Sequence, residues 1–565
     1  MRALFMRTLV QRRREWDFWT YATLGAGMVF LLLLVYPLVR LTISSFLPET
    51  GTFAAAGEEF GVLDTYVHFF SSRYYYSTLY NSFFVATLAA IFSLVIGTIV
   101  AYIVSRIQIP GRLLLRVAVV MVFVSPPFIG AYAWVLLLGR MGILTRFVQM
   151  LGITLPDIYG WRGIVLVFTL QAFPFVFLLV SSGLRSIDQS LEDAAINLGR
   201  THLGAFFTVF LPLMVPSIST GALLVFVTAF ADFGTPMIIG EGFRVLSQTV
   251  YTSFINEFGG NPRFASTLAV LMLVVTISAL LIQRAIARRW SFGQEAVTPL
   301  RTFSVSRPYR ILAMAVVYLI VLAASLPSIT IIVSSFLRSV GPMLLPEFTL
   351  EGYSQAVRLP RALRNTAVFA STATVLCVLT GTVVGYVVSR RRGRFPALLD
   401  SVSMVPYAVA GVVLGVALLI SFGGRPFYLT GTGTILVLAY FVRRLPYTVR
   451  STAGMLHQTG VQTEEASINL GVPPGRTFWR ITVPIISPSI MAGGLLTWAT
   501  VSREFNSTVM LYSGRTRTLS VEVFGYVLYG SFGQASVVGT VLLLVAVIPI
   551  VLMFRLFGRG EESLV

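Results

Sequence analysis

Apolar residues in this chain come in long runs parted by short polar stretches. The first covers Thr20–Ile43. Five more lie near residues 81–105, 115–138, 163–184, 216–240 and 265–287. Six follow near 310–335, 365–389, 397–421, 433–455, 488–512 and 534–557. A helix of about 20 apolar residues crosses roughly 30 Å of hydrocarbon, so each run is long enough to span. The pattern predicts an all-α polytopic membrane protein with about 12 transmembrane helices. The first run is too long for a signal-peptide core and lacks a small-residue cleavage site, so it reads as a retained helix. Pro126-Pro127 and Pro406 fall inside the third and ninth runs and predict broken helices there.

The pattern occurs twice. Asn81, Gly97, Thr98, Tyr102, Ser105 and Arg106 match Asn365, Gly381, Thr382, Tyr386, Ser389 and Arg390 at an offset of 284. Further on, Glu192-Asp193-Ala194-Ala195-Ile196-Asn197-Leu198-Gly199 matches Glu464-Glu465-Ala466-Ser467-Ile468-Asn469-Leu470-Gly471 at an offset of 272. The register holds through Pro212 and Pro484 to Pro216-Ser217-Ile218 and Pro488-Ser489-Ile490. The offsets differ by 284 − 272 = 12, which places an insertion in the first copy, in the loop around Gly142–Arg162. The division is a first half at 1–289, a polar linker at 290–308 and a second half at 309–565. An even helix number per half gives both halves the same orientation. Locally, Gln189–Leu198 forms a short helix capped by Ser186 or Asp188. Gly199 ends it, since Gly takes the left-handed C′ conformation at little cost. In the second copy Pro473-Pro474 reinforces the break.

Composition sharpens the class. Of 565 residues, 56% are hydrophobic and only 12% charged, outside the soluble range. The net charge is +19, and the 42 cations are all Arg, since the sequence contains no Lys. The arginines flank apolar runs, so they set orientation in a bilayer, and no nucleic-acid partner is expected. Arg2, Arg7 and Arg12–Arg14 put the N-terminus in the cytoplasm, and the helix count puts the C-terminus, the linker and both repeated motifs on that side. The first outer loop carries Glu49, Glu58, Glu59 and Asp64 instead. A P-loop uses a Lys on the nucleotide phosphates. Without one, ATP hydrolysis by this chain is not expected. The single cysteine, Cys377, excludes an internal disulfide. His68, His202 and His457 lack metal-ligand spacing, so no metal site is expected.

Ionisable residues inside spans are functional candidates. Asp232 and Glu504 match at the 272 offset, and each precedes a phenylalanine, Phe233 or Phe505. Arg503 adjoins Glu504. Arg443 and Arg444 lie in the tenth run, where the first half has Gln171 and Ala172. These groups are candidates for a path between the halves; a Glu504–Arg443 ion pair is the structural alternative. No nucleophile or base accompanies them, so no catalytic residue is expected. Tyr74–Tyr76 reads as an interfacial belt.

The repeated motif resembles the EAA loop of permease subunits in binding-protein-dependent ABC importers. Asp193, Ala194, Ala195, Gly199, Val209, Leu211 and Pro212 fill the family pattern in the first copy. Glu465, Ala466, Ser467, Gly471, Ile481, Val483 and Pro484 fill it in the second. Asp193, Ser467 and Val483 depart from the usual Glu, Ala and Leu. The resemblance implies two tandem six-helix halves of the type I importer fold in a bacterial cytoplasmic membrane. It implies two copies of a cytoplasmic ABC ATPase, holding ATP and Mg, docked on coupling loops carried by Glu192, Asp193, Ala194, Ala195, Gly199, Glu464, Glu465, Ala466, Ser467 and Gly471. It implies a periplasmic or lipoprotein solute-binding protein, and no cofactor in this chain. Ala231–Pro236 and Arg517–Glu522 resemble fused permeases of ferric iron uptake. Related permeases carry phosphonates, sugar phosphates or thiamine. Arginines in the path repel a bare trivalent cation but suit an anion or an anion-complexed metal. An ion-coupled secondary transporter is the reading from another class.

Overall fold

A computed structural model describes residues 18–47, 61–255, 260–290, 298, 300–302, 305–341, 343–356 and 358–557. The N-terminal arginines, Glu49, Glu58, Glu59, most of the linker and the C-terminal tail lie outside them.

Among the described residues, nine helices are long and apolar enough to cross a membrane, or eleven if each of two bent pairs is one span. The remaining expected span is Gly433–Gln458, a 26-residue helix. Its Arg443, Arg444 and Arg450 lower its hydropathy without preventing the helix. All twelve runs therefore contain helix, but two are shorter than expected. The fifth ends at Ala231 instead of continuing to residue 240. The eleventh runs Val483–Ser502 instead of 488–512. Beyond each, Asp232 and Arg503 leave the helical path. Short helices follow: Gly234–Ile239 and Leu246–Phe254 in the first half, Thr508–Leu511 and Leu519–Leu528 in the second. Apolar composition continued past these breaks, so hydropathy alone did not reveal them.

The third and ninth runs are broken. Arg112–Val124 stops at Ser125, and Pro127–Leu138 resumes. Arg394–Ala408 turns through 109° into Gly411–Phe422. The insertion is where the offsets put it. Residues 139–160 join Leu138 to Trp161, against 423–432 between Phe422 and Gly433, which is 22 − 10 = 12 more. The extra chain forms the amphipathic helix Ile143–Met150. A hairpin of Leu337–Val340 with Met343–Phe348, unforeseen from the pattern, follows the seventh span.

The halves exchange their first helices. Trp19–Phe46 packs on Leu359–Arg390, Gly411–Phe422 and Pro262–Arg289. Arg307–Ser334 packs on Arg112–Val124, Pro127–Leu138 and Phe532–Phe557. Within each half a matched glycine sits where the second span crosses the fourth. A Cβ on Gly97 would lie 2.6 Å from Val176 Cβ, and one on Gly381 2.7 Å from Thr448 Cβ. Small residues let membrane helices approach this closely and gain dispersion contacts.

Candidate functional site

Two regions hold the candidates: a pair of elbows at the end of spans four and ten, and a polar cluster at mid-depth between the halves.

In the first elbow, Asp188 caps Gln189–Asn197 by accepting from Ser190 N at 2.9 Å. The helix ends in a Schellman turn. Gly199 N donates to Ile196 O at 2.8 Å and Arg200 N to Ala195 O at 3.0 Å. Gly199 has φ +86°. The second elbow repeats it after Gln462–Asn469. Gly471, at φ +83°, donates to Ile468 O, and Val472 N donates to Ser467 O. Both turns use the pairing that satisfies the last helical carbonyls. The chain then returns through π-helical turns at Phe206–Phe210 and Phe478–Thr482 into the next span.

Burial separates the motif residues into two sets. Leu198 and Leu470, just before the glycines, are each 85% exposed. Asp193, Ala194 and Gly199 are exposed with the first, as are Glu465, Ala466 and Gly471 with the second. Ala195 and Ser467 face inward. Ser467 shares a 2.9 Å hydrogen bond with Thr477 Oγ1. The matching first-copy pair is Ala195 and Ala205, both buried. The departure from alanine at 467 therefore comes with a hydroxyl partner.

Glu192 and Glu464 were expected among the residues of the ATPase-coupling loops. The geometry is that of positioning. Glu192 is fully buried and ion-paired with Arg106, at the end of the second span. It also accepts from Gln189 Nε2 at 3.0 Å and lies 3.0 Å from His202 Nδ1. Glu464 pairs with the matched Arg390 at 3.2 Å and accepts from Tyr386 OH at 2.9 Å. A buried carboxylate needs such partners, because its desolvation is otherwise costly.

At mid-depth, Glu504 accepts from Arg443 Nη1 at 2.6 Å, from Arg444 and from Ser507 Oγ at 3.1 Å. Arg443 lies 443 − 433 = 10 residues from the start of its helix, about 15 Å along the axis. Arg503 crosses to the first half. Its Nη1 donates to Phe123 O at 2.6 Å and Ser125 O at 2.9 Å. The reason is local: residue 127, which would donate to Phe123 O in a continuous helix, is a proline without an N–H. Asn506 also crosses, donating to Asp232 Oδ1 at 3.1 Å and accepting from Phe233 N at 3.3 Å. Phe505 then packs on Phe128, Phe524 and Phe233, with ring centroids 4.6, 4.8 and 5.9 Å away.

Asp232, Phe233, Arg443, Arg444, Arg503, Glu504 and Phe505 thus form one contiguous cluster. Asn506, Phe128 and Phe524 belong to it and were not singled out from sequence. Asn506 was legible only as the residue beside Phe505, and its counterpart is Gly234. Tyr74 and Tyr76 are exposed, and Cys377 is buried. Among the described residues no group of three or more His, Cys, Asp or Glu is placed to hold a metal.

The family model described as "binding-protein-dependent transport system inner membrane component" matches residues 82–292 and 378–561. The chain belongs to this family. It is a multi-pass inner membrane permease subunit of the ABC importer class. The matched segments contain both elbows and every residue of the mid-depth cluster. The permease is similar to the ferric transport system permease protein FbpB of Actinobacillus pleuropneumoniae, 26% identical over 547 residues, covering 94% of this chain and 77% of that one. It is also similar to the molybdenum transport system permease protein ModB of Escherichia coli strain K12, 32% identical over 210 residues, covering 36% of this chain and 90% of that one. A crystal structure of a bacterial ABC transporter that imports the acidic polysaccharide alginate aligns with 51% of this chain and 100% of its own, at 19% identity and a TM-score of 0.41.

The two halves of the permease hold the segments after their shortened spans alike. Leu246 N donates to Ser82 Oγ at 2.8 Å, and Leu519 N to Thr366 Oγ1 at 2.9 Å. Asn81 Nδ2 donates to Arg244 O, but the matched Asn365 Nδ2 donates to both Arg515 O and Arg517 O. Asn365 is buried and Asn81 is not. Asn365→Ala is expected to destabilise by about 1–3 kcal/mol, because two carbonyls lose a buried donor, and Asn81→Ala by less than about 1 kcal/mol. Thermal unfolding in detergent measures both; equal losses would contradict the asymmetry.

Proposed function

We propose that this permease forms the translocation path of an ATP-driven importer for ferric iron. Two copies of a cytoplasmic ABC ATPase, carrying ATP and Mg, dock one on each elbow. A periplasmic or lipoprotein binding protein delivers the cargo at the opposite face. Both termini and both elbows face the cytoplasm. The observation that carries the reading is the duplicated elbow, whose tip exposes Leu198 or Leu470 and whose helix exposes Asp193 or Glu465. A large apolar side chain held in solvent on a rigid turn suits insertion into a partner cleft. Asp193, Ala194, Gly199, Glu465, Ala466 and Gly471 surround those tips, while Glu192, Glu464, Ala195 and Ser467 hold them in place.

The iron assignment is supported by similarity to a ferric transport permease over 94% of this chain, against 36% for a molybdenum one. The cluster of Asp232, Phe233, Arg443, Arg444, Arg503, Glu504 and Phe505 is the proposed constriction of the path. Its formal charge, three arginines against two carboxylates, favours iron passing with bound anions over the bare ion.

Uptake tests the cargo. Proteoliposomes containing the permease and its ATPase, supplied with binding protein loaded with radiolabelled ferric iron, are expected to accumulate the label. Accumulation of molybdate in place of iron would reassign the cargo.

A further inference from the structure

We infer that the linker between the halves is a working part of the coupling apparatus, clipped to the first elbow by Asp188 and Gln189. This rests on the proposed role of the elbows.

Residues 298 and 300–302 run along the N-terminal end of the first elbow helix. Thr298 N donates to Asp188 Oδ2 at 2.8 Å, and Gln189 N donates to Thr298 O at 3.2 Å. Arg301 N donates to Gln189 Oε1 at 2.9 Å. The Arg106 guanidinium, already paired with Glu192, donates to Arg301 O at 2.7 Å. Gln108 Nε2 reaches Thr302 Oγ1 at 3.4 Å. The linker thus adds main-chain partners to a site that the motif residues alone would leave open.

The internal repeat shows that this grip is specific to one copy. Glu192 and Glu464, Arg106 and Arg390, and Tyr102 and Tyr386 are identical pairs. The two gripping positions are not: Asp188 and Gln189 correspond to Gly460 and Val461. Gly460 has no side chain to accept from a strap, and Val461 has none that hydrogen-bonds. Accordingly, Arg390 donates to Thr459 O within its own loop at 2.8 Å, where Arg106 donates to the linker. The second elbow is gripped differently, by Trp19 stacked on Tyr386 at 4.1 Å and set edge-on to Phe478 at 5.0 Å.

The strap leads into Arg307–Ser334, where Tyr318 OH donates to Pro110 O at 2.7 Å. That span packs on Arg112–Val124, the broken helix whose far end receives Arg503. The strap thus joins the first elbow to the second half's first span, and that span packs on the helix that receives Arg503. Asp188 and Gln189 are positioning residues in this device: they join the elbow to the linker and touch no cargo.

The test uses the full chain, with Cys377→Ser, reconstituted with its ATPase and liganded binding protein. Replacing the grip by its second-copy counterpart, Asp188→Gly with Gln189→Val, is expected to reduce the stimulation of ATP hydrolysis by binding protein at least fivefold. The ATPase should still co-purify. Asp188→Asn alone keeps a capping acceptor oxygen and leaves Gln189 in place, and is expected to retain at least half of the stimulation. Independently, Asp188→Cys with Thr298→Cys should oxidise to a cross-link that preserves stimulation, because strap and elbow move together. Unchanged stimulation in the Gly/Val variant would overturn the inference, as would loss of stimulation on cross-linking with recovery on reduction. Failure of the unsubstituted permease to bind any ATPase would instead overturn the role of the elbows.

Discussion

Glu504→Gln is expected to cost about 3–5 kcal/mol of stability and to abolish transport. Removing one member of a buried ion pair leaves an uncompensated charge, which costs that much. Here the loss is concentrated, because Glu504 serves two guanidiniums, Arg443 at 2.6 Å and Arg444, and its side chain is only 3% exposed. Arg443→Met is expected to cost less, since the Arg444–Glu504 pair survives. Thermal unfolding of the purified variants in detergent, with uptake on the same preparations, measures both. A Glu504→Gln permease as stable as the parent, or less harmed than Arg443→Met, would show that the cluster is not an ion-paired constriction.

Gly199→Val and Gly471→Val should insert and fold but transport poorly. Nothing lies within 4 Å of a Cβ built on either glycine, so no neighbour is displaced. The difficulty is in the backbone. At φ +86° and +83°, a β-branched residue is strongly disfavoured, and left-handed conformation costs even an ordinary side chain about 1–2 kcal/mol. The turn would reshape and carry Leu198 or Leu470 away from its present direction. A shift of about 1.4 kcal/mol in a required geometry is a tenfold change, so uptake should fall roughly tenfold or more while the unfolding midpoint moves little. Alanine at the same positions should give an intermediate effect. Full uptake by both valine variants would separate the elbows from coupling.

The helices were legible because a span announces itself by length and apolarity, and the duplication was legible because identities recur at fixed offsets. Pro127 signalled the break that Arg503 fills. Other features depend on contacts that no local pattern encodes. The burial of Glu192 and Glu464 required knowing that Arg106 and Arg390, 86 and 74 residues away, end beside them. The breaks at Asp232 and Arg503 lie inside apolar stretches and are held open by hydrogen bonds across the chain, such as Ser247 Oγ to Asp232 O and Ser520 Oγ to Glu504 O. The linker read as a polar tether. Its grip on Asp188 and Gln189 emerges only when the two elbows are laid side by side and found to differ there.

Energy-dependent uptake is the most direct measurement of the central claim. Purified permease is reconstituted with liganded binding protein, either alone or with the ATPase and ATP, with no ion gradient imposed. Cargo should accumulate only when the ATPase and hydrolysable ATP are present, and an added proton or sodium gradient should not replace them. Accumulation by the permease alone, driven by such a gradient, would contradict the account.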